Sequence, residues 1–436
     1  MAFGGGVWTA QDKVLPGAYI NFVSVGSADA RLSERGYASM PLELDWGPDG
    51  EIFEVTAEDF QNRSLSIFGY DYTHEKLKGL RDLFAYARVL YAYRLNSGAK
   101  AACSYATAKY SGTRGNDLKV VIAKNTDDET KFDVSTYIGT SKLGTQTVGA
   151  AAELKDDEFF VWKKDAQLAA TAGTALTGGT NAASVTGDSY QTYLDKAESY
   201  SFNVMGVVTD DETVKKLCIN YVKRMRDEVG VKFQLVMHNA PADFEGVINV
   251  KNVTTDAGWP EESTVYWVTG ASAGCAVNAS NTNRKYDGEF TIACDYTQVQ
   301  LANAIKAGQF TFHRTGSEIR VLQDVNSFVT IIDEKNELFA DNQTIRVIDQ
   351  IANDMAVIFN TRYLGKVPND AAGRISLWND VCKLHQALAA IGAIEDFDPE
   401  TVTVEQGNTK KSVICTVRNL SIVNAMTQLY MSVIVA

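Results

Sequence analysis

Apolar and polar residues in the first part of the chain follow the pattern of β-strands and then of a helix. Within residues 14–56, the runs VLPGAYINF, GYASMPLEL and EIFEV predict strands. Residues 73–94 instead carry apolar positions at helical spacing, with Thr73 as a capping residue. The apolar stripe consists of Leu77, Leu80, Leu83 or Phe84, Ala87 and Tyr91. We therefore predict strands followed by one long helix.

A different pattern begins near residue 98. The short β-type runs LKVVIAK, KFDVSTYI and EFFVWK follow one another at regular spacing up to about residue 165. Short strands separated by turn residues are typical of a small β-sandwich or barrel. Residues 166–190 are rich in Ala, Thr, Gly and Ser, a composition that predicts a linker.

The following segment has the pattern of a β–α–β unit. The run SFNVMGVV predicts a strand, residues 211–229 predict an amphipathic helix that ends at Gly230, and VKFQLVM predicts a second strand. Strand, helix and strand at this spacing indicate a right-handed unit of a parallel sheet. The run STVYWV predicts a further strand, followed by a helix.

Two more helices and a return to strands complete the pattern. Apolar positions at helical spacing predict one helix from Asp341 that stops at Gly365 and another from Ile375 that stops at Gly392. His385 falls on the apolar stripe of the second helix, where we expect a core histidine with its hydrogen bonds satisfied. Residues 401–436 are predicted to form strands.

The last of these strands, Leu429–Val435, is apolar on both faces. One face carries Leu429, Met431, Val433 and Val435, and the other carries Tyr430 and Ile434. A strand with two apolar faces needs neighbours on both sides. Together with the glycine-rich stretch Gly4–Gly6, it favours a subunit that completes its sheets with strands from other subunits. An ordinary tail and an ordinary buried last strand are the alternative.

Composition limits the classes of function. The chain has 436 residues, enough for two to four domains, with 45% apolar and 22% charged residues, as in ordinary globular proteins. Its net charge of −13 argues against nucleic acid as the main partner, because neutralising phosphates requires clustered Lys and Arg. The apolar runs are too short for a membrane span, and we expect no secretory signal peptide.

Cysteine and histidine spacing does not predict a metal site. The cysteines are Cys103, Cys218, Cys275, Cys294, Cys382 and Cys415. They are widely scattered, form no CxxC pair and have no histidine at metal-ligand spacing, so we expect free buried thiols. The histidines are His74, His238, His313 and His385. Because they are isolated from one another, we expect them to be structural. The glycine-rich pieces GTRGN and LTGGTN lack the phosphate-loop patterns, so no cofactor is predicted.

One short motif could carry catalysis. Residues 270–274 are Gly-Ala-Ser-Ala-Gly, a G-x-S-x-G pattern between a predicted strand and a small-residue stretch, which is the context of a hydrolase nucleophile elbow. The candidate triad is Ser272 with Asp295 or Asp324 and His313 or His385. The alternative is that small residues allow close packing of a helix on a sheet. No second motif supplies an oxyanion loop or a base.

Several longer segments together resemble one protein family. In chain order they are FGGGVW with KVLPGAYINF, KYSGTRGNDLKVVI at 109–122, LTGGTN at 176, SNTNRKYDGEF at 280–290, NQTIRVIDQIANDM at 342–355, YLGKVPNDAAGR at 363–374, and the final NAMTQLYMSVIV. In these segments the chain resembles the tail sheath proteins of contractile-tailed phages and of phage-tail-like bacteriocins. The similarity covers nearly the whole chain and is weakest over about residues 123–175.

The resemblance implies a mixed α/β, α+β multidomain fold. It has a subtilisin-like α/β core without a working protease site, an inserted β-sandwich domain, and exchanged N- and C-terminal strands. The expected parts are an N-terminal arm (1–22), an α/β segment (23–97), a β-sandwich-like domain (98–180), the subtilisin-like domain (181–335) and a C-terminal sheath domain with the donor strand (336–436). The residues expected to exchange are Val14, Leu15, Tyr19, Ile20, Leu429, Tyr430, Met431, Val433, Ile434 and Val435.

The same resemblance implies a mechanical function without enzymatic activity. Sheath subunits form stacked hexameric rings around an inner tube, and the sheath contracts to drive that tube through the host cell envelope. Expected partners are further copies of the chain in a helical array, the tail tube protein, and baseplate and tail terminator proteins, with no nucleic acid and no direct membrane insertion. The expected location is the virion tail, after assembly in the bacterial host cytoplasm.

Candidate tube-facing residues are Arg346, Lys366 and Arg374, because basic side chains would suit an acidic tube. Two alternatives from other classes stay open at this point. One is a serine hydrolase that uses Ser272, and the other is a non-contractile capsid or scaffold protein.

Overall fold

The computed structural model describes residues 32–434, which divide into two compact units. The larger unit contains residues 34–352 and 422–434, and the smaller contains residues 32–33 and 353–421. The exchange candidates Val14, Leu15, Tyr19, Ile20 and Val435 lie outside the described residues.

The strands are numbered in chain order. They are β1 (Tyr37–Leu42), β2 (Ile52–Thr56), β3 (Val89–Arg94), β4 (Ala106–Ala108), β5 (Leu118–Lys124), β6 (Phe132–Ile138), β7 (Ser141–Val148), β8 (Phe160–Trp162), β9 (Thr171–Ala175), β10 (Val204–Gly206), β11 (Gln234–His238), β12 (Val247–Val250), β13 (Gln309–Phe310), β14 (Phe312–Thr315), β15 (Glu318–Val321), β16 (Ile394–Glu395), β17 (Val402–Gln406), β18 (Val413–Val417) and β19 (Ser421–Ile422).

The helices are numbered in the same way. They are α1 (Ala57–Phe68), α2 (Lys78–Phe84), α3 (Gly187–Ala197), α4 (Glu212–Arg224), α5 (Thr264–Gly274), α6 (Gln298–Lys306), α7 (Asn342–Ile358) and α8 (Ala371–Ala390). Single π-helical turns follow α4 (Met225–Val229) and α7 (Phe359–Tyr363). Among the helices of residues 32–434, none combines the length and the hydropathy of a membrane-spanning segment.

The larger unit is built on a seven-stranded sheet with the order β13-β12-β11-β10-β1-β3-β2. All neighbours pair in parallel except β2, which is antiparallel to β3. Side chains alternate between two cores along each strand: Leu235 and Met237 of β11 lie in one core, and Val236 lies in the other. Helices α1, α2 and α5 cover one face, and α3 and α4 cover the other. The sheet is therefore the middle layer of an α/β/α structure.

The predicted β–α–β unit is confirmed as β10, α4 and β11. Its two strands are parallel, with Val204 opposite Gln234. Asp211 caps α4, because its Oδ1 accepts a hydrogen bond from the backbone N–H of Thr213 at 2.7 Å. Gly230 follows the π turn with φ of 89°, a left-handed conformation that glycine adopts without strain.

Two other predictions for the larger unit are wrong. The run STVYWV is not a strand but the start of α5, which is buried on nearly all sides. A short run that is apolar all round fits a buried strand and a buried helix equally well. The helix predicted over residues 73–94 ends at Phe84, and Val89–Arg94 forms the inner strand β3. Pairing with β1 and β2 on both sides outweighs the helical spacing there.

The β-rich region is a sandwich of two antiparallel sheets. One sheet pairs β4 with β8, and the other has the order β7-β6-β5-β9. The predicted strands are found as β5, β6 and β8. The linker predicted over residues 166–190 is wrong in part, because Thr171–Ala175 forms β9 and α3 begins at Gly187. The sequence of β9, TAGTA, has too few large apolar residues to signal an edge strand.

Buried polar contacts join the sandwich to the seven-stranded sheet. At the end of β3, the Arg94 guanidinium donates to Asp49 Oδ1 at 3.1 Å and to Asn181 Oδ1 at 3.2 Å. The two chain segments that connect the sandwich run side by side, since the N–H of Ala182 donates to the carbonyl of Asn96 at 2.9 Å. The chain therefore passes into the sandwich and returns from it through two adjacent segments.

The smaller unit packs α8 against the end of α7 and the antiparallel pair β17–β18. Its core contains Ile358, Tyr363, Leu377, Val381, Cys382, Leu384 and Val402. Both predicted helices are confirmed, and Gly365 and Gly392 follow them with φ of 70°. His385 is a core residue as predicted. Its Nδ1 lies 2.8 Å from the Val381 carbonyl oxygen, and its ring stacks on Phe397.

Candidate functional site

The C-terminal segment, residues 423–434, has no regular secondary structure. Residues 429–434 of the strand predicted over Leu429–Val435 are therefore not in a strand, and no strand within residues 32–434 pairs with them. Its apolar side chains face solvent, with exposed fractions from 72% for Val433 to 95% for Ile434. The exposed residues are Met426, Leu429, Tyr430, Met431, Val433 and Ile434. Exposed apolar side chains that follow one another in this way are typical of surfaces that contact other molecules.

The start of this segment is held firmly by the first turn of α7. The Gln343 Nε2 donates to the Val423 carbonyl at 2.9 Å, and its Oε1 accepts from the N–H of Ala425 at 3.0 Å. In addition, Asn424 Nδ2 donates to Thr344 Oγ1 at 3.0 Å. The Gln343 amide thus makes the two hydrogen bonds that a neighbouring strand would make. Residues beyond Ala425 extend from a fixed point.

The same helix also holds the first described residues. Ser33 Oγ donates to Asp354 Oδ1 at 2.6 Å, and the Ser33 N–H donates to Asp354 Oδ2 at 3.3 Å. Helix α7 therefore carries one attachment for each terminal region of the chain.

Ion pairs inside the larger unit fix α7 in place. The Arg226 guanidinium donates to both carboxylate oxygens of Asp349, at 2.7 and 2.8 Å. One turn earlier, Arg346 Nη2 donates to Asp324 Oδ2 at 2.6 Å. Burial opposes ionisation of Asp324, but the Arg346 guanidinium and hydrogen bonds from Asn281 and Asn342 together outweigh it and lower the pKa of that carboxyl. The Arg346–Asp324 pair is thus held in its charged form.

The position of Arg346 contradicts its prediction as a tube-facing residue. Its side chain is 1% exposed, and its guanidinium donates hydrogen bonds to Asp324 and to the Ala279 carbonyl. The other two candidates lie at the surface of the smaller unit. Lys366 is exposed, with Nζ 2.6 Å from the Thr361 carbonyl oxygen, and Arg374 is half-buried at the start of α8.

The Ser272 motif lies inside α5, not at a turn between a strand and a helix. A Cβ on Gly270 would lie 2.2 Å from the Leu83 carbonyl oxygen, and one on Gly274 would lie 2.3 Å from that of Tyr86. The small residues therefore allow α5 to approach the end of α2. The packing alternative is correct, and the two glycines of the motif face a neighbouring helix, while α5 also covers the sheet.

The proposed triad is not assembled. Ser272 is fully buried, and its Oγ has no hydrogen-bond partner within residues 32–434, so no base is placed to activate it. Asp324 is occupied by Arg346, and the Nδ1 of His385 is occupied by the Val381 carbonyl. Asp295 is exposed beside Arg314. The triad candidates therefore form no hydrogen-bonded Ser–His–Asp arrangement within residues 32–434.

The described part of the chain has no group of three or more His, Cys, Asp or Glu residues that could hold a metal ion. The cysteines are free. Cys218, Cys275, Cys294 and Cys382 are buried, Cys103 is partly buried and Cys415 is exposed. The expectation of buried thiols is therefore wrong for Cys415.

Family models match successive parts of the chain. They are the Tail sheath protein Gp18 domain III N-terminal region (residues 35–95), the phage tail sheath protein beta-sandwich domain (96–181), the phage tail sheath protein central domain (183–327) and the phage tail sheath C-terminal domain (334–436).

Individual proteins are similar over most of their length. The phage-like element PBSX protein XkdK of Bacillus subtilis is 31% identical, with 92% of this chain and 93% of that protein covered. A sheath tail protein from Desulfitobacterium hafniense has a crystal structure with a TM-score of 0.78 at 36% identity, covering 89% of this chain and 93% of the other. The contracted helical sheath of the anti-feeding prophage has a TM-score of 0.56 at 12% identity, with 97% and 99% covered, a likeness of fold alone.

Proposed function

The chain belongs to the phage tail sheath family, and from this premise we propose that it is the structural subunit of a contractile tail sheath. Subunits polymerise as stacked hexameric rings around the tail tube, and the sheath contracts to drive the tube through the host cell envelope. The partners are other copies of the chain, the tube protein, and baseplate and terminator proteins. The particle is assembled in the bacterial cytoplasm and the sheath is part of the virion tail.

The C-terminal segment carries this proposal. Its base is fixed by Gln343, whereas the apolar side chains from Met426 to Ile434 find no partner within the described chain. Burying a large apolar side chain is worth about 1.5–3 kcal/mol, so the segment has a strong tendency to enter a sheet of another subunit. Val14, Leu15, Tyr19 and Ile20 are proposed to exchange in the same way.

The pair β17–β18 is the proposed acceptor of a donated strand. A two-stranded hairpin is marginal by itself and leaves unpaired backbone groups at its edges. Ile414 and Cys415 of β18 are exposed, and among the strands of residues 32–434 only β17 pairs with β18, so this edge offers an apolar side chain beside a strand edge that no described strand occupies. An incoming strand would cover both.

The larger unit acts as a rigid body in this proposal and not as an enzyme. We propose that its α/β/α core is subtilisin-like without a working site, because Ser272 serves packing. Contraction then needs no cofactor if the lattice assembles in a metastable state and is released by a trigger. Exchanged strands keep neighbouring subunits connected while their other contacts change.

The smaller unit is proposed to face the tube. Lys366 and Arg374 supply positive charge, and Leu364 and Ile375 are exposed apolar residues close to them in sequence. Charged groups beside exposed apolar side chains are typical of the rim and core of a protein interface.

Electron microscopy of the purified full-length chain tests the proposal. We expect long striated tubes or stacked rings in negative stain. Discrete particles at concentrations where relatives polymerise would contradict it, and esterase activity of such particles would favour the hydrolase instead.

A further inference from the structure

The larger unit contains a cavity of about 700 Å³ at the carboxyl ends of its parallel strands. It is lined by residues that directly follow β1, β3 and β10, among them Glu43, Asn96 and Val208. The sheet order reverses here, since the chain continues from β1 toward β3 on one side and from β10 toward β11 on the other. In open α/β sheets, ligands bind in the crevice at such a switch point.

Aromatic rings form much of the cavity wall. Tyr70, Tyr190, Trp259 and Tyr266 all line it, and the Trp259 and Tyr266 rings stand perpendicular with centroids 6.2 Å apart. The faces of aromatic rings carry negative electrostatic potential and attract cations. The wall therefore suits a cationic group carried on an apolar stem.

Among the carboxylates of the lining, one makes no ion pair. The ammonium group of Lys76 binds Asp45, which also accepts from Tyr70 and Asn181. The Lys78 ammonium lies 3.7 Å from Glu75, although it binds Asp256 more closely, at 2.8 Å. Glu43 is exposed and makes no hydrogen bond or ion pair within residues 32–434. Glu43 lines the cavity together with Tyr190 and Tyr266. Burial and then the charge of the Glu43 carboxylate raise the pKa of Tyr266.

The remaining titratable group of the lining is His74. Its Nδ1 accepts from the N–H of Lys76 at 3.2 Å, and its ring stacks on Tyr70 at 4.3 Å. Burial, and then the charges of Arg114 and Lys76, lower the pKa of His74, so its ring is neutral at pH 7. The cavity at neutral pH therefore presents a net negative charge at Glu43.

We propose that this cavity binds an organic cation, an ammonium or guanidinium group on an apolar stem, with Glu43 as its counter-ion and the rings of Tyr190, Trp259 and Tyr266 around the stem. The cation comes either from a free amine or from a basic side chain of a neighbouring subunit. Both sources share the same chemistry, and the experiment below separates them.

The test uses n-butylguanidinium and its neutral isostere n-butylurea, titrated against the unassembled full-length chain by saturation-transfer NMR. We expect n-butylguanidinium to bind at least tenfold more tightly than n-butylurea. Glu43→Gln should remove this preference, whereas the control Glu75→Gln, a change at a second lining carboxylate, should keep it. Equal binding of the two probes, or an unchanged preference in Glu43→Gln, would overturn the proposal.

A second titration, on assembled tubes, identifies the source of the cation. If a neighbouring subunit supplies it, tubes exclude the probe and Glu43→Gln raises the concentration needed for assembly. If a free amine supplies it, tubes bind the probe as the unassembled chain does. Because the first titration needs no tubes, it decides the proposal even if the sheath function is wrong.

Discussion

Arg226 and Asp349 form a bidentate ion pair in the interior of the larger unit, with N–O distances of 2.7 and 2.8 Å. Asp349 lies on α7, the helix that holds residues 423–425, so this pair fixes the base of the proposed donor strand. We expect Arg226→Met to lower the free energy of unfolding by about 3–5 kcal/mol, because it leaves a buried carboxylate unpaired. Urea unfolding monitored by circular dichroism measures the change.

The double variant Arg226→Met with Asp349→Leu is the matched control. Replacing both partners by apolar groups removes the unpaired charge and should restore most of the lost stability. A single-variant loss below about 1 kcal/mol would show that the pair does not hold α7.

Ser272→Ala should leave stability and tube formation unchanged. Its hydroxyl is buried without a hydrogen-bond partner within residues 32–434, so its removal loses no interaction.

Gly270→Ala, two residues earlier, should lower the free energy of unfolding by about 1–3 kcal/mol, because the new Cβ would lie 2.2 Å from the Leu83 carbonyl oxygen. Thermal melts and electron microscopy measure both. Failure of well-folded Ser272→Ala particles in infection or killing assays would revive a chemical role for the hydroxyl.

Asp45 predicts a pH dependence of stability. Burial opposes its ionisation, but hydrogen bonds from Lys76, Tyr70 and Asn181 lower its pKa from 3.8 to about 2. A folded-state pKa below the unfolded value stabilises the fold above about pH 4, and this stabilisation is lost as the pH falls toward 2. Asp45→Asn should therefore destabilise at pH 6 and progressively less at pH 4 and 3. Urea unfolding at these values is the measurement, and the exposed Asp165→Asn is the control. If Asp45→Asn lowers the free energy of unfolding by the same amount at every pH, the predicted pH dependence is wrong.

Deletion of the β-sandwich should leave a chain that still assembles. Because the segments at Asn96 and Ala182 run side by side, a short Gly/Ser splice can replace residues 98–180. Trp46, which packs on Tyr110 and Phe159, should be made polar in the same variant. We expect tubes of smaller outer diameter in electron microscopy.

The shorter deletion of residues 98–165 is the comparison. It leaves β9 without its partner β5 and should aggregate or melt at lower temperature. A well-folded 98–180 deletion that forms no tubes would show that the sandwich is part of the lattice.

The pattern of apolar residues was sufficient to predict an element where the buried residues recur with the period of that element. Strands β5 and β6 alternate, α8 has helical spacing, and the position of His385 on that spacing correctly indicated a core residue. Pattern failed where a residue's role depends on a partner far along the chain. Arg346 was expected to face the tube because it is basic, but its side chain is buried in an ion pair with Asp324.

The polar residues of α7 indicate internal hydrogen bonds, which the spacing of the apolar residues alone does not predict. Gln343, Arg346, Asp349 and Asp354 follow one another at intervals of three to five residues. Such spacing places polar groups on neighbouring sides of a helix that also buries the apolar residues Ile345, Val347 and Ile358. That combination predicts that the polar side chains of α7 hydrogen-bond to other parts of the chain. The sequence does not identify the partner residues.

Truncation after Ala425 tests the central claim, that the C-terminal segment is donated to another subunit. It keeps the hydrogen bonds of Gln343 and removes residues whose described apolar side chains are exposed within the chain, so the monomer should not be destabilised. The measurement is size-exclusion chromatography with light scattering, together with a thermal melt. We expect a soluble monomer that melts cooperatively at the temperature of the full-length monomer and forms no tubes. Normal polymerisation of the truncated chain, or an aggregate without a melting transition, would contradict it.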